Sequence, residues 1–178
     1  MQVVTILGSN SGDKYRLMEQ AISLLAEKAG KKILASSYYE TAPWGFECEE
    51  NFLNRVVVFE TELCAESFLQ AALEVERQLG RIRSADGPRY VSRPIDIDML
   101  FYGTETIDTP TLTIPHPRLE KRNFVLTPLR EILPGFIHPV LHKSIQTLWE
   151  ICPDRLEVRK IEAPFPEGQA KRKIKRDF

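Results

Sequence analysis

An α+β sandwich is the fold this sequence predicts, with helices on one face of a mainly antiparallel sheet and a C-terminal extension of short strands and helices. Three observations predict it. Apolar residues switch between strand-like and helix-like spacing in the order β-α-β-β-α-β. Glycines and small polar residues punctuate that order at nearly every switch. The chain is 178 residues long, which suits one domain with a sizeable core, and it carries neither an internal repeat nor a linker that would divide it.

Each element has a local reason. Residues 2–7, QVVTIL, are a β-branched run ended by Gly8. Asp13 is a helix N-cap, and Leu17, Ala21, Leu24, Leu25 and Lys28 share one side of a helix that runs to about Ala29 and closes at Gly30. Residues 33–40 form a second strand and 52–61 a third, with an aromatic, turn-rich loop between them. A second helix runs from about Ala65 to Leu79, with Phe68, Leu69, Ala72, Leu73 and Leu79 apolar and Gly80 at its end. After a basic connection comes the fourth strand, 94–102. A short hairpin follows, and then two short helices near Phe124–Ile132 and Ser144–Ile151. This order is that of a split-βαβ, ferredoxin-like sandwich, an architecture that hosts many functions. The domain is expected to span residues 1–162, with 163–178 a Pro-rich and then basic mobile tail.

Composition narrows the class. The net charge is −1, but the last eight residues, KRKIKRDF, hold five basic residues and one acid. A short basic tail is not the broad basic face of a nucleic-acid binder. Cys48, Cys64 and Cys152 are odd in number and never spaced C-x-x-C, which argues against zinc and redox motifs and for a reducing compartment. The N-terminal apolar run is too short for a signal peptide or a membrane span, so a cytoplasmic protein is expected.

The chemistry concentrates around the fourth strand, within RPIDIDMLFYG at 93–103. Alternation puts Ile95, Ile97, Met99 and Phe101 on one face and Asp96, Asp98, Leu100 and Tyr102 on the other. Two carboxylates on one face stand roughly 6–7 Å apart at their Cα atoms, within reach of one divalent ion. Their repulsion needs a positive partner, either Mg²⁺ or nearby arginines. The alternative is an exposed strand end where both are simply hydrated. Arg81, Arg83, Arg89 and Arg93 precede the strand within thirteen residues, and guanidinium forks suit phosphate oxygens. No Walker, kinase or dinucleotide glycine pattern is present. Carboxylates beside arginines are the ingredients of phosphoryl-type transfer.

The ordered set GSN at 8–10, YYETAPWG at 38–45, FLN at 52–54, LGRIR at 79–83, RPIDIDMLFYG at 93–103, IPHPRL at 114–119 and RNFVLTPLREI at 122–132 resembles the 6-hydroxymethyl-7,8-dihydropterin pyrophosphokinases of folate biosynthesis, across residues 3–152. The resemblance implies transfer of the β,γ-diphosphate of ATP to the pterin hydroxymethyl group, with release of AMP. ATP would be the co-substrate and two Mg²⁺ ions the cofactors, and no nucleic acid, membrane or obligate protein partner is expected. It implies Asp96 and Asp98 as metal ligands. Asn54, with Thr41, Ala42, Pro43 and Trp44, would read the pterin edge, and Phe52 and Phe124 would sandwich its ring. Arg81 and Arg93 would assist transfer. Glu76, Arg83, Arg89, Tyr90, Met99, Thr113, His116 and Arg122 would lie on the nucleotide side.

Two positions depart from the family pattern: Tyr90 stands where many members have Trp, and Phe52 where Tyr is common. Without the resemblance, Phe52 and Phe124 read as core residues, and His116 as either a loop histidine or a phosphate donor. Pro139 interrupts the helix that a His138–His142 metal pair would need, so both read as structural. The competing class is a ferredoxin-like nucleic-acid or regulatory binding module, which would have no use for Asp96 and Asp98.

Overall fold

The computed structural model describes residues 1–42, 51–81 and 94–163. Strand β1 (Gln2–Ser9) is central, with β4 (Phe52–Glu60) antiparallel on one side and β5 (Asp96–Tyr102) antiparallel on the other. Beyond β4 lie β2 (Lys31–Ala35) and β3 (Tyr38–Thr41), both antiparallel to it. They are two halves of the predicted second strand, separated at Ser36 and Ser37, where the Ser36 hydroxyl takes the Val56 N–H at 3.0 Å. Strand β8 (Val158–Ile161) extends the sheet past β3. The order β5-β1-β4-β3-β8 contains the split-βαβ pattern expected.

Helices cover both faces of this sheet, where the sequence predicts one. α1 (Lys14–Ala29) and α2 (Ala65–Gln78) pack against Val3, Leu7, Leu53, Val57 and Phe59. α3 (Asn123–Ile132) and α4 (Ile145–Glu150) pack against Val4, Ile6, Val56, Val58 and Phe101. Burial on both faces explains why β1 and β4 read as continuous apolar runs rather than as alternating ones.

Register also shifts within α1. Its buried stripe is Met18, Ala21, Ile22, Leu25 and Ala29, while Lys28 is exposed. The true stripe is turned by about one residue from the predicted one, because Met18 and Ile22 complete the 3.6-residue spacing that Leu17 and Leu24 only flank. Gly30 ends the helix at φ 142°, and a Cβ there would lie 2.2 Å from the Glu60 carbonyl oxygen.

A further correction falls in β5. Val4 pairs with Phe101 and Thr5 with Met99, so Leu100 is the extra residue of a bulge. Phe101 therefore joins Leu100 against α3, and Tyr102 turns to the α1–α2 side. The Leu100 carbonyl, displaced from plain pairing, accepts the His116 N–H at 2.9 Å. A two-stranded hairpin, β6 (Ile107–Asp108) with β7 (Thr113–Ile114), leads to it, as predicted. No helix among the described residues is long and apolar enough to cross a membrane.

His138 organises the turn after α3. Its Nδ1 accepts the N–H groups of Val140 and Leu141, both at 3.2 Å. Burial holds its pKa below the ordinary 6.5, with His142 adding to that and Glu120 opposing it. A group whose folded pKa is depressed stabilises fully above its unfolded value and loses that contribution as pH falls through the folded value. The urea midpoint should therefore fall as the pH is lowered through and below the ordinary 6.5, and His138→Ala should lessen that fall. Equal pH dependence in the two proteins would refute this.

Candidate active site

The site is built on the ends of β4, β1 and β5, on the face turned toward α3. Gly8 sits between Asn54 on β4 and Asp96 on β5, hydrogen-bonded into both ladders. Gly8 thus lies inside β1, where the sequence predicts the strand's end. Its missing side chain keeps the floor low: a Cβ there would stand 3.4 Å from Asn54 Oδ1 and 4.0 Å from the Phe52 ring. One row across three neighbouring strands therefore joins Asn54, Gly8 and Asp96. Sequence reasoning missed this role, and its only signal was a glycine followed by two small polar residues at a strand end.

On the Asn54 side, the amide is 3% exposed and donates from Nδ2 to Thr41 Oγ1 at 2.8 Å. That bond fixes the amide with Oδ1 toward Gly8. Phe52 begins the same strand, half-buried, and Ala42, which follows β3, is exposed. Phe124, on the first turn of α3, packs partly buried on the α3 side of the sheet. The Arg122 guanidinium lies 5.9 Å from the Phe124 ring centre. Pro43 and Trp44 lie outside the described residues.

Three carboxylates meet on the Asp96 side. Glu76, at the end of α2, is 1% exposed and accepts the Ile97 N–H at 2.8 Å. Arg81 pairs with Glu76 at 2.5 Å and also with Asp96. Glu76 thus pins the start of β5 and, through Arg81, the first aspartate. Asp98 points the same way as Asp96 and lies 3.9 Å from His116 Nε2. Its carboxyl is pushed up to about 7, first by burial and then by the Asp96 and Glu76 carboxylates, against the pull of Arg122 and Arg81. The side chain still keeps 45% of its exposure, so water screens part of that rise and the upward direction is what its neighbours impose.

His116 is driven the other way, down to about 4, by burial and then by Arg122. Without a ligand it is thus a neutral imidazole at neutral pH, with an N–H to offer a phosphate oxygen. Its Nδ1 is buried without a hydrogen-bond partner among the described residues.

The remaining nucleotide-side expectations separate. Met99 is 3% exposed in the α1–α2 core, on the face opposite the aspartates. Strand alternation turns its side chain away from the aspartates, while its backbone continues the strand that carries them. Thr113 lies in the β6–β7 hairpin with its hydroxyl 3.4 Å from Asp108. Arg83, Arg89, Tyr90 and Arg93 lie outside the described residues.

No three His, Cys, Asp or Glu side chains among the described residues form a closed metal cage. Mg²⁺ does not require one: it takes one or two carboxylates and completes its shell with waters and substrate phosphates. Two carboxylates on one face, one of them half open to water and crowded by like charge, fit that donor chemistry.

The profile of the 7,8-dihydro-6-hydroxymethylpterin-pyrophosphokinase family matches residues 4–134. A 2-amino-4-hydroxy-6-hydroxymethyldihydropteridine pyrophosphokinase of Porphyromonas gingivalis is 40% identical over 134 residues, covering 75% of this chain and 90% of that protein. Its counterpart from Aquifex aeolicus is 43% identical over 141 residues, covering 79% of this chain and 85% of that one. Among solved structures, a Plasmodium falciparum HPPK-DHPS superposes with a TM-score of 0.68 at 20% identity. That likeness covers 84% of this chain but only 42% of the Plasmodium chain, and it speaks to the fold alone.

Proposed function

The chain belongs to the 7,8-dihydro-6-hydroxymethylpterin-pyrophosphokinase family, and from that membership we infer that it transfers the diphosphate of ATP to the hydroxymethyl group of 6-hydroxymethyl-7,8-dihydropterin in folate biosynthesis. ATP is the co-substrate. The hydroxymethyl oxygen attacks the β-phosphorus and forms the new O–P bond. The bond from that phosphorus to the α–β bridging oxygen breaks, AMP leaves, and the hydroxyl proton passes to solvent.

The observation that carries the assignment of residues is the row Asn54–Gly8–Asp96, which sets an amide-and-aromatic half-site beside a carboxylate-and-cation half-site. In this reading Asn54 Oδ1 accepts an N–H from the pterin edge, with Thr41 holding the amide. Phe52 and Phe124 offer faces to the flat heterocycle, and the backbone around Ala42 lies beside it. Across the row, Arg122 and the His116 N–H meet phosphate oxygens. Asp96 and Asp98 would hold Mg²⁺ through their carboxylates. When bound, the metal supplies positive charge to the phosphates that the three carboxylates would otherwise repel. Glu76 and Arg81 keep Asp96 in place, so the aspartate pair is set before ligand arrives. The chain's own contribution is positioning and charge balance, the main demands of phosphoryl-type transfer.

The test is direct. Incubation with ATP, Mg²⁺ and the hydroxymethyl-dihydropterin should yield AMP, and Asp96→Ala should reduce its formation about a hundredfold or more. No AMP from the parent protein would overturn the reaction. Undiminished AMP from Asp96→Ala would overturn the metal assignment alone.

A further inference from the structure

Residues 149–161 follow the span matched by the family profile, which ends at residue 134. They brace α3 along its length. At its first residue, the Asn123 N–H donates to Asp154 Oδ2 at 2.9 Å, and Asn123 Nδ2 donates to the Leu156 carbonyl at 2.8 Å. Asp154 Oδ1 takes the Leu156 N–H at 2.9 Å, so both carboxylate oxygens are engaged. In the middle, Trp149 Nε1 donates to Thr127 Oγ1 at 3.0 Å, and Arg130 stacks 3.8 Å over the Trp149 ring. At the last turn, Glu131 takes Lys160 Nζ at 2.7 Å and both the N–H and the hydroxyl of Ser37. The same segment then pairs as β8 with β3, Val158 opposite Thr41.

One strip of chain therefore ties the helix that carries Phe124 to the strand that carries Thr41. The cap of α3 is Arg122, which makes no side-chain capping bond, so Asp154 does what a capping side chain ordinarily does, from 31 residues away. A carboxylate is also the favoured charge at a helix N-terminus. The residues on either side of Asn123 are Arg122 and Phe124, both assigned above to ligand contacts.

We propose that Asp154 is a positioning residue for the pterin half-site: by holding the Asn123 N–H it fixes the first turn of α3, and with it the angle at which Phe124 faces the Phe52 and Asn54 side of the sheet. The proposal rests on the reading of Phe124 as a pterin contact. A loosened first turn lets the ring wander, and the bound pterin must then stop that motion at the expense of its affinity.

The experiment compares steady-state kinetics of the full chain with Asp154→Ala, Asp154→Asn and Thr61→Val. Thr61 lies at the far end of β4 from Phe52, where its hydroxyl bonds the Ala29 carbonyl, so Thr61→Val removes a buried bond remote from the site. Asp154→Ala should raise KM for the pterin about tenfold and leave kcat within about twofold. Asp154→Asn, which keeps one acceptor oxygen, should recover most of that loss. Thr61→Val should lower thermal stability without raising the pterin KM. An unchanged pterin KM in Asp154→Ala, or an equal rise in Thr61→Val, would overturn the proposal. Absence of AMP with the parent protein would instead overturn the functional reading beneath it.

Discussion

Asp98→Asn is expected to lose about a hundredfold or more of its AMP-forming activity while melting no lower than the parent protein. The two effects have one cause. Asp98 stands beside Asp96 and Glu76, and among the described residues Arg122 and Arg81 offset the three carboxylates. Removing one charge relieves repulsion. With 45% of the Asp98 side chain exposed, the gain is screened and should stay below about 1 kcal/mol. The same removal takes away a ligand for Mg²⁺. Thermal melts without metal, set beside AMP assays with it, check both halves. A variant that melts well below the parent in metal-free buffer would show that Asp98 is stabilising, contrary to its surroundings.

Arg55→Ala should destabilise the fold by about 3–5 kcal/mol, the scale of breaking a buried ion pair from one side. Arg55 is 3% exposed, on the face of β4 toward α1. Its Nε donates to the Ser36 carbonyl at 2.9 Å, and one terminal nitrogen reaches Glu19 at 2.7 Å and the Tyr38 hydroxyl at 3.0 Å. The guanidinium also lies 4.4 Å from the Tyr38 ring centre. Burial, and then the hydrogen bond to Glu19, hold the Tyr38 hydroxyl protonated far above its ordinary range. Truncation takes the counter-charge from Glu19, which keeps the Tyr38 hydroxyl bond, and strands the Ser36 carbonyl. In a domain of this size, the melting temperature should fall by roughly 10 °C. The double variant Arg55→Met with Glu19→Leu should regain much of the loss, since the uncompensated carboxylate goes too. A single-variant loss below about 1 kcal/mol would show the network to be a bystander.

The sequence made the sheet and the aspartate pair legible because both rest on local periodicity. Asp96 and Asp98 share a face as alternation requires, Arg81 pairs with Glu76 and Asp96, and His116 lies beside Asp98. What stayed hidden depends on contacts between distant segments. Nothing near Arg55 announces that Glu19 waits on α1 to receive it, and FLNRVVVFET reads simply as a strand. Gly8 reads as punctuation until two neighbouring strands show it to be a floor. Strand β8 was missed because VRKI is short and half charged, and it is a strand only because β3 offers it an edge. Asp154 gives no local sign of serving a helix that begins 31 residues earlier.

The bulge at Leu100 couples two parts of the molecule that alternation would keep apart. Ahead of it, β5 aims its carboxylates outward on one phase. Behind it, the strand has stepped half a period and seals α3 with Phe101. The carbonyl set free at the step tethers the His116 backbone, so the imidazole beside Asp98 takes its height from a packing irregularity. Substitutions at Phe101 that change how α3 seats on the sheet will thus be felt at His116 although they touch no ligand, and the seam between core and site is a single inserted residue wide.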